Sequence, residues 1–215
     1  MRPRKYLIKL ETTAIKKVQK LKRSLSVIHD PITIPEIYLA NITIEALNTW
    51  INFSRSFYFS CSTLCPKTSN GNRVTTDVRV TDFNDAIGRA IRLVNSRARP
   101  DSSGIWDRRD EPTWRKPSTL IDVCSNIGCS NILNIRDGLS AQQTFFSDLP
   151  DFRNFYAHRN QQTEFAAMQK APTYSISATL RPSDILRAFP INESSRLLEK
   201  WLDEIKFTIQ YLCYE

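Results

Sequence analysis

Two histidines, five glycines and two methionines among 215 residues leave little material for several common chemistries. No glycine-rich loop is available to wrap nucleotide phosphates, which excludes a P-loop or a dinucleotide fingerprint as the organising motif. The five cysteines, Cys61, Cys65, Cys124, Cys129 and Cys213, form an odd set without the Cys-x-x-Cys pairs usual at zinc. Reduced thiols in a cytoplasmic protein are therefore expected, with no metal and no cofactor. No stretch approaches the roughly 18 apolar residues of a membrane span. The opening Met1-Arg-Pro-Arg-Lys leads into no apolar run of signal-peptide length, so neither secretion nor a membrane partner is expected. Internal repeats and low-complexity tracts are absent as well.

Apolar residues make up 41% of the chain, enough for a substantial core, and the scarcity of glycine suits helices. Lys and Arg outnumber Asp and Glu by 30 to 22, giving a net charge of +8. This balance favours a polyanionic partner through counterion release, without choosing among RNA, DNA and acidic protein.

Hydrophobic periodicity carries most of the structural information. Leu7, Leu10, Ala14, Val18, Leu21, Leu25 and Ile28 recur every three or four residues and predict an amphipathic helix ending before Asp30-Pro31. A short strand near Tyr6 to Leu10 also fits. The opposite face carries Lys9, Lys16, Lys17, Lys20, Lys22 and Arg23, either as a solvated face or as a surface for RNA phosphate or an acidic partner. A second helix starts around Thr33 to Pro35 and runs to about Phe59, with Leu39, Ile42, Ala46, Trp50, Phe53 and Phe57 in one stripe. After a loop at Cys65 to Thr76, a third helix capped by Thr81 or Asp82 turns Phe83, Ala86, Ile87, Ala90, Ile91 and Val94 inward.

Arg99 to Pro117 is the most irregular stretch. Its Trp106, Trp114, Arg108, Arg109, Arg115 and Lys116 combine stacking faces with cations, as an RNA-contacting loop would; in the competing reading the tryptophans pin the loop to the helices. Ser118 caps a helix interrupted near Gly128 and resumed through Ile135, and Asp137-Gly138 forms a turn. Ser140-Ala-Gln-Gln fits a capping box for a segment that either stops before Asp148 or continues with a kink at Pro150. Glu164 to Met168 prolongs a helix to Ala171-Pro172, Thr173 to Leu180 alternates like a short strand, and Ser183 sits in a single helical turn. A last helix, capped at Ser194 or Ser195, presents Leu198, Trp201, Leu202, Ile205, Ile209 and Leu212 to the core. The fold expected is all-α, an up-and-down bundle of about five or six helices, with a small β element near 173–180 as an option. A basic helical segment, 1–32, packs on or is appended to a helical domain spanning 33–215.

The sharpest chemical signal is Asp148 to Asn160, which holds one of the two histidines. Asp148-Leu149-Pro150 looks like a helix start, so that the following residues lie near the beginning of a helix. Asn154 and His158, four apart, then share a face, and the amide is placed to hydrogen-bond the imidazole and fix its tautomer. Arg153 starts about 140° round from His158, so its side chain must reach around the helix or meet an imidazole of a second subunit. A guanidinium holds phosphate oxygens in a fork, and an imidazole moves protons near neutral pH.

Arg153-Asn154-Phe155-Tyr156-Ala157-His158 resembles the Arg, polar residue, three variable residues, His motif of HEPN-domain ribonucleases, the class found in prokaryotic toxins, abortive-infection proteins and RNA-targeting CRISPR effectors. The resemblance implies that the 33–215 bundle is a HEPN domain whose active unit is a homodimer with two motifs facing one cleft. It implies metal-independent endoribonuclease activity, with attack by the ribose 2′-OH and a 2′,3′-cyclic phosphate product. Arg153, Asn154 and His158 are its catalytic residues. Arg153 steadies the phosphate, Asn154 orients His158, and His158 transfers the proton. Arg159, Tyr156, Arg115, Lys116, Arg108 and Arg109 are candidates for RNA contact. An antitoxin or sensor protein would restrain such an enzyme. Where one subgroup of the family carries a regulatory tyrosine two residues after the histidine, this chain has Asn160, so control at that position is not expected. The alternative is a non-catalytic HEPN module for RNA or nucleotide binding and dimerisation.

Overall fold

The computed structural model describes residues 1–26, 35–140 and 143–214. The fold is all-α. Among the described residues lie nine α-helices: α1 Leu7–Ser26, α2 Glu36–Leu64, α3 Phe83–Val94, α4 Pro117–Asn126, α5 Ile132–Ser140, α6 Phe145–His158, α7 Gln161–Met168, α8 Pro182–Arg187 and α9 Leu197–Tyr214. Short 3-10 turns occupy Arg108–Asp110 and Ala171–Tyr174. No helix among these residues is long and apolar enough to cross a membrane. The chain forms two compact units: Met1–Ala14, Ile51–Gln142 and Thr208–Glu215 in the first, Ile15–Trp50 and Gln143–Phe207 in the second.

In the first unit Leu7, Leu10 and Ala14 of α1 are buried, as their spacing predicts. The strand considered near Tyr6 is a single isolated bridge: the Leu7 N–H donates to the Lys67 carbonyl at 2.8 Å and the Lys67 N–H to that of Lys5 at 2.9 Å. Asp82 caps α3, accepting from the Asp85 N–H at 2.9 Å. Ala86, Ala90 and Ile91 face inward, whereas Phe83 and Val94, at the helix ends, are exposed. The Arg99 to Pro117 stretch is pinned by its tryptophans. Trp106 lies over Gly88, whose hydrogen in place of a side chain makes room for the indole: a Cβ there would come within 2.5 Å of the ring nitrogen. Trp114 packs on Tyr58 and Phe59 and donates its indole N–H to Glu111 at 2.8 Å. Glu111 is in turn held in a fork by Arg55, at 2.6 and 2.7 Å. Asp137-Gly138 is not a turn but part of α5, where Gly138 lets the Tyr211 ring approach the backbone. Pro117 begins α4 after Lys116, so Ser118 is not its cap.

In the second unit Leu198, Trp201, Leu202 and Ile205 of α9 are fully buried. That helix opens after Arg196, whose backbone N–H donates to the Glu199 carboxylate at 3.0 Å, rather than after Ser194 or Ser195. The β element expected near 173–180 is absent. Pro172 lacks a ladder donor, Ser175 turns the chain at φ 56°, and Tyr174 and Ile176 are buried without a partner strand. Ser140 ends α5 instead of capping the next helix, and residues 141–142 of the expected capping box lie outside the described residues. So do Ile28, the helix end before Asp30-Pro31 and the start at Thr33.

Candidate functional site

The motif helix α6 runs from Phe145 straight through Pro150 to His158. Phe145, Leu149, Phe152 and Tyr156, spaced four, three and four apart, are all buried. Burying each large apolar side chain is worth about 1.5–3 kcal/mol. A proline in a helix interior costs about 3 kcal/mol, so the continuous apolar stripe outweighs it. Asp148 is therefore not a helix cap. The N-terminus of α6 is capped from α9: the Phe145 N–H donates to the Glu204 carboxylate at 3.0 Å. Burial raises the Glu204 pKa above the ordinary glutamate range, against the lowering effect of these hydrogen bonds.

Asp148, 5% exposed, instead centres a polar network that sequence reasoning missed. It accepts the Tyr174 hydroxyl at 2.6 Å and pairs with the Lys170 ammonium at 3.2 Å; Lys170 also reaches Asp151 at 3.3 Å. The Trp201 indole N–H donates to the Tyr174 oxygen at 3.2 Å. Burial alone would lower the Lys170 pKa, but Asp148 and Asp151 together hold it above the ordinary lysine value. Burial and the Asp148 carboxylate push the Tyr174 hydroxyl well above the usual phenol range. The only sequence signal for this network was an acidic residue on the buried stripe of an otherwise apolar helix.

Arg153, Asn154 and His158 close α6, so the motif stands at the helix's carbonyl end rather than near its beginning. His158 is exposed, and its side chain has no hydrogen bond or ion pair with any described residue. Asn154 does not bind the imidazole; its side-chain oxygen accepts a long bond of 3.4 Å from Arg153, which makes no ion pair with the described residues. The helix ends because Arg159 adopts a left-handed conformation, φ 46° and ψ 43°, with its N–H on the Phe155 carbonyl at 2.7 Å. Asn160 then caps α7, accepting from the Thr163 N–H at 2.9 Å. The helix expected to pass unbroken to Met168 is thus two helices meeting at a corner.

Tyr156 is a core residue, 6% exposed, with its hydroxyl on Ser183 at 3.1 Å, so its ring offers no free stacking face. Burial lifts its pKa to about 12, with Glu36 raising and Arg187 and Arg159 lowering it. Glu36 and Arg187 also line a cleft of about 420 Å³, together with Phe155, Glu164, Arg181, Ser183 and Asp184. A larger groove, about 860 Å³, has the cations Lys17, Lys20 and Arg23 on its rim and Leu21, Pro35 and Ile42 among its apolar lining.

The remaining RNA-contact candidates belong to the first unit. Arg108 and Arg115 line a small cleft of about 210 Å³ beside the Arg55–Glu111 pair, while Arg109 and Lys116 are exposed on the same pinned stretch. All five cysteines carry free thiols. Burial pushes those of Cys61 and Cys213 up. Cys129 is held low by the S–H groups of Cys124 and Cys61. Among the described residues no group of three or more His, Cys, Asp or Glu is arranged to hold a metal ion. Comparison with known proteins finds no match for this chain, whether among family models, curated proteins or solved structures.

Proposed function

We propose that the protein is a metal-independent endoribonuclease of HEPN type, acting as a prokaryotic toxin, abortive-infection or anti-phage defence effector. The observation that carries this reading is the last turn of α6, where an unpaired guanidinium and an exposed imidazole lie five residues apart with Asn154 between them. Neither side chain is spent on an internal carboxylate, so both are available to a phosphodiester. His158 takes the 2′-OH proton, the 2′ oxygen attacks phosphorus, and a second proton-transfer group protonates the departing 5′ oxygen, leaving a 2′,3′-cyclic phosphate. Arg153 stabilises the extra charge on the phosphoryl oxygens. Carbonyl groups at a helix C-terminus disfavour an anion, so the phosphate depends on these side chains and on Arg159 rather than on backbone N–H groups.

The roughly 140° between Arg153 and His158 on the helix favours a homodimer in which each site takes its guanidinium from one protomer and its imidazole from the other. The second reading is a non-catalytic RNA- or nucleotide-binding module of the same family. It is favoured by the carbonyl-end position and by the cleft beside Phe155.

The deciding experiment incubates the pure protein with mixed cellular RNA in EDTA, beside folded Arg153→Ala and His158→Ala variants. Cleavage by the wild type alone, with cyclic-phosphate ends, is the expected result. Equal cleavage by His158→Ala rejects the site, and RNA binding without turnover selects the second reading.

A further inference from the structure

The cleft at Phe155 combines one aromatic ring, two guanidinium groups, three carboxylates and a serine hydroxyl. Its volume of about 420 Å³ suits a small organic ligand rather than a lone ion. Carboxylates outnumber guanidiniums, so a bare phosphate is a poor occupant.

Internal bonds use part of this set. Asp184 pairs with Arg187 at 3.1 Å, and the Ser183 oxygen accepts from Tyr156. The carboxylates of Glu36 and Glu164 and the guanidinium of Arg181 have no partner among the described residues, and Phe155 is half-buried beside Tyr156, their ring centroids 5.1 Å apart. What remains for a ligand is the Phe155 ring, the two carboxylates of Glu36 and Glu164, of which Glu164 is the less exposed, and the Arg181 cation.

Phe155 precedes His158 by three residues, so the two share a face of α6 about one turn apart. An RNA chain whose phosphate meets His158 therefore brings an adjacent base to this cleft.

The four bases differ in how they meet a carboxylate. Guanine presents two adjacent donors, N1–H and the N2 amino group, which match both carboxylate oxygens. Cytosine offers one amino donor beside an acceptor. Adenine likewise sets its amino group beside ring acceptors, and uracil flanks its single N–H with two carbonyls, so a carboxylate meets repulsion at each. The guanine O6 and N7 edge or the neighbouring phosphate is left for Arg181. Stacking on Phe155 supports any base, whereas the carboxylate discriminates.

We propose that this cleft is a guanine-selective subsite for RNA, in which the base stacks on Phe155, its N1–H and N2 amino group bind Glu164, and Arg181 holds an acceptor edge or the adjacent phosphate. The proposal rests on the ribonuclease reading only for its role beside His158; the selectivity itself is a binding property.

The test titrates the full chain with the 3′-monophosphates of guanosine, adenosine, cytidine and uridine by calorimetry. The same titrations are run on Glu164→Gln, Phe155→Leu and His158→Ala, each checked by thermal melting. Guanosine monophosphate should bind tighter than the adenosine and uridine forms by roughly tenfold or more, the worth of a charge-assisted hydrogen bond. Glu164→Gln should erase the preference, Phe155→Leu should weaken every nucleotide, and His158→Ala should keep the preference. Equal affinities, no binding, or a preference that survives Glu164→Gln overturns the subsite. Guanine selectivity without RNA cleavage keeps the subsite and refutes the nuclease; cleavage at every base with unselective binding does the reverse.

Discussion

Arg159 pays a backbone strain that its neighbours do not, since an L-residue with a side chain is disfavoured in the left-handed region by roughly 1–2 kcal/mol. Arg159→Gly is expected to remove that strain and raise the melting temperature by about 2–4 °C per kcal/mol gained, while weakening RNA binding if the guanidinium touches phosphate. A melt and an RNA titration on the same variant separate the two effects. A melting temperature that falls would mean the arginine side chain contributes more than its conformation costs. Gly88 sets the opposite constraint. A methyl group there meets the Trp106 indole at 2.5 to 2.9 Å, so Gly88→Ala should destabilise the first unit by about 1–3 kcal/mol. Unchanged thermal stability would show that the tryptophan moves aside freely. Neither constraint could be read from the residue types, because a left-handed arginine and a glycine under an indole look ordinary in a sequence.

At the scale of elements, α6 depends on a carboxylate from α9. Glu204 accepts the Phe145 N–H and lies close to Thr144, yet burial keeps its folded pKa above the unfolded value. A carboxyl group of this kind favours the fold most when protonated. Its contribution is greatest below the ordinary glutamate range and declines as pH rises through it. Glu204→Gln keeps an acceptor for the helix end without the buried charge, so the decline of melting temperature as pH rises above the ordinary glutamate range should flatten. Glu204→Ala loses the cap and should cost about 1 kcal/mol. A pH profile identical in wild type and Glu204→Gln would remove Glu204 from this account. In the sequence Asp148-Leu149-Pro150 points to a helix start, with continuation through Pro150 only as the alternative, and burial of the stripe Phe145, Leu149, Phe152, Tyr156 decides for continuation. The acceptor that begins the helix was not legible in the sequence, because Glu204 lies some sixty positions further on. The corner at Arg159 and Asn160 was hidden for a related reason: its capping residues also fit a helix interior.

For the whole molecule, the proposed RNA partner together with the net charge of +8 predicts an affinity that falls steeply with salt, in proportion to the phosphates neutralised. An affinity independent of salt would set RNA aside as the partner. The proposed composite dimer predicts complementation. Inactive Arg153→Ala and His158→Ala proteins, mixed and allowed to exchange subunits, should regain about a quarter of wild-type cleavage, because half of the dimers are mixed and each has one intact site. No recovery, with exchange demonstrated by labelled subunits, places both side chains of each site on one chain.

The sequence by itself determined the all-α class and most inward-facing residues, because helical periodicity is a local property that burial merely reads out. It also singled out Arg153, Asn154 and His158, since these residue types at this spacing are rare in a chain with only two histidines. Tertiary structure decided the rest. It placed those residues at the carbonyl end of α6, took Tyr156 and both loop tryptophans into the core, and left Glu164 and Arg181 facing a cleft beside Phe155. Burial of a polar group and the partners it acquires depend on residues distant in the chain, and no local pattern encodes them.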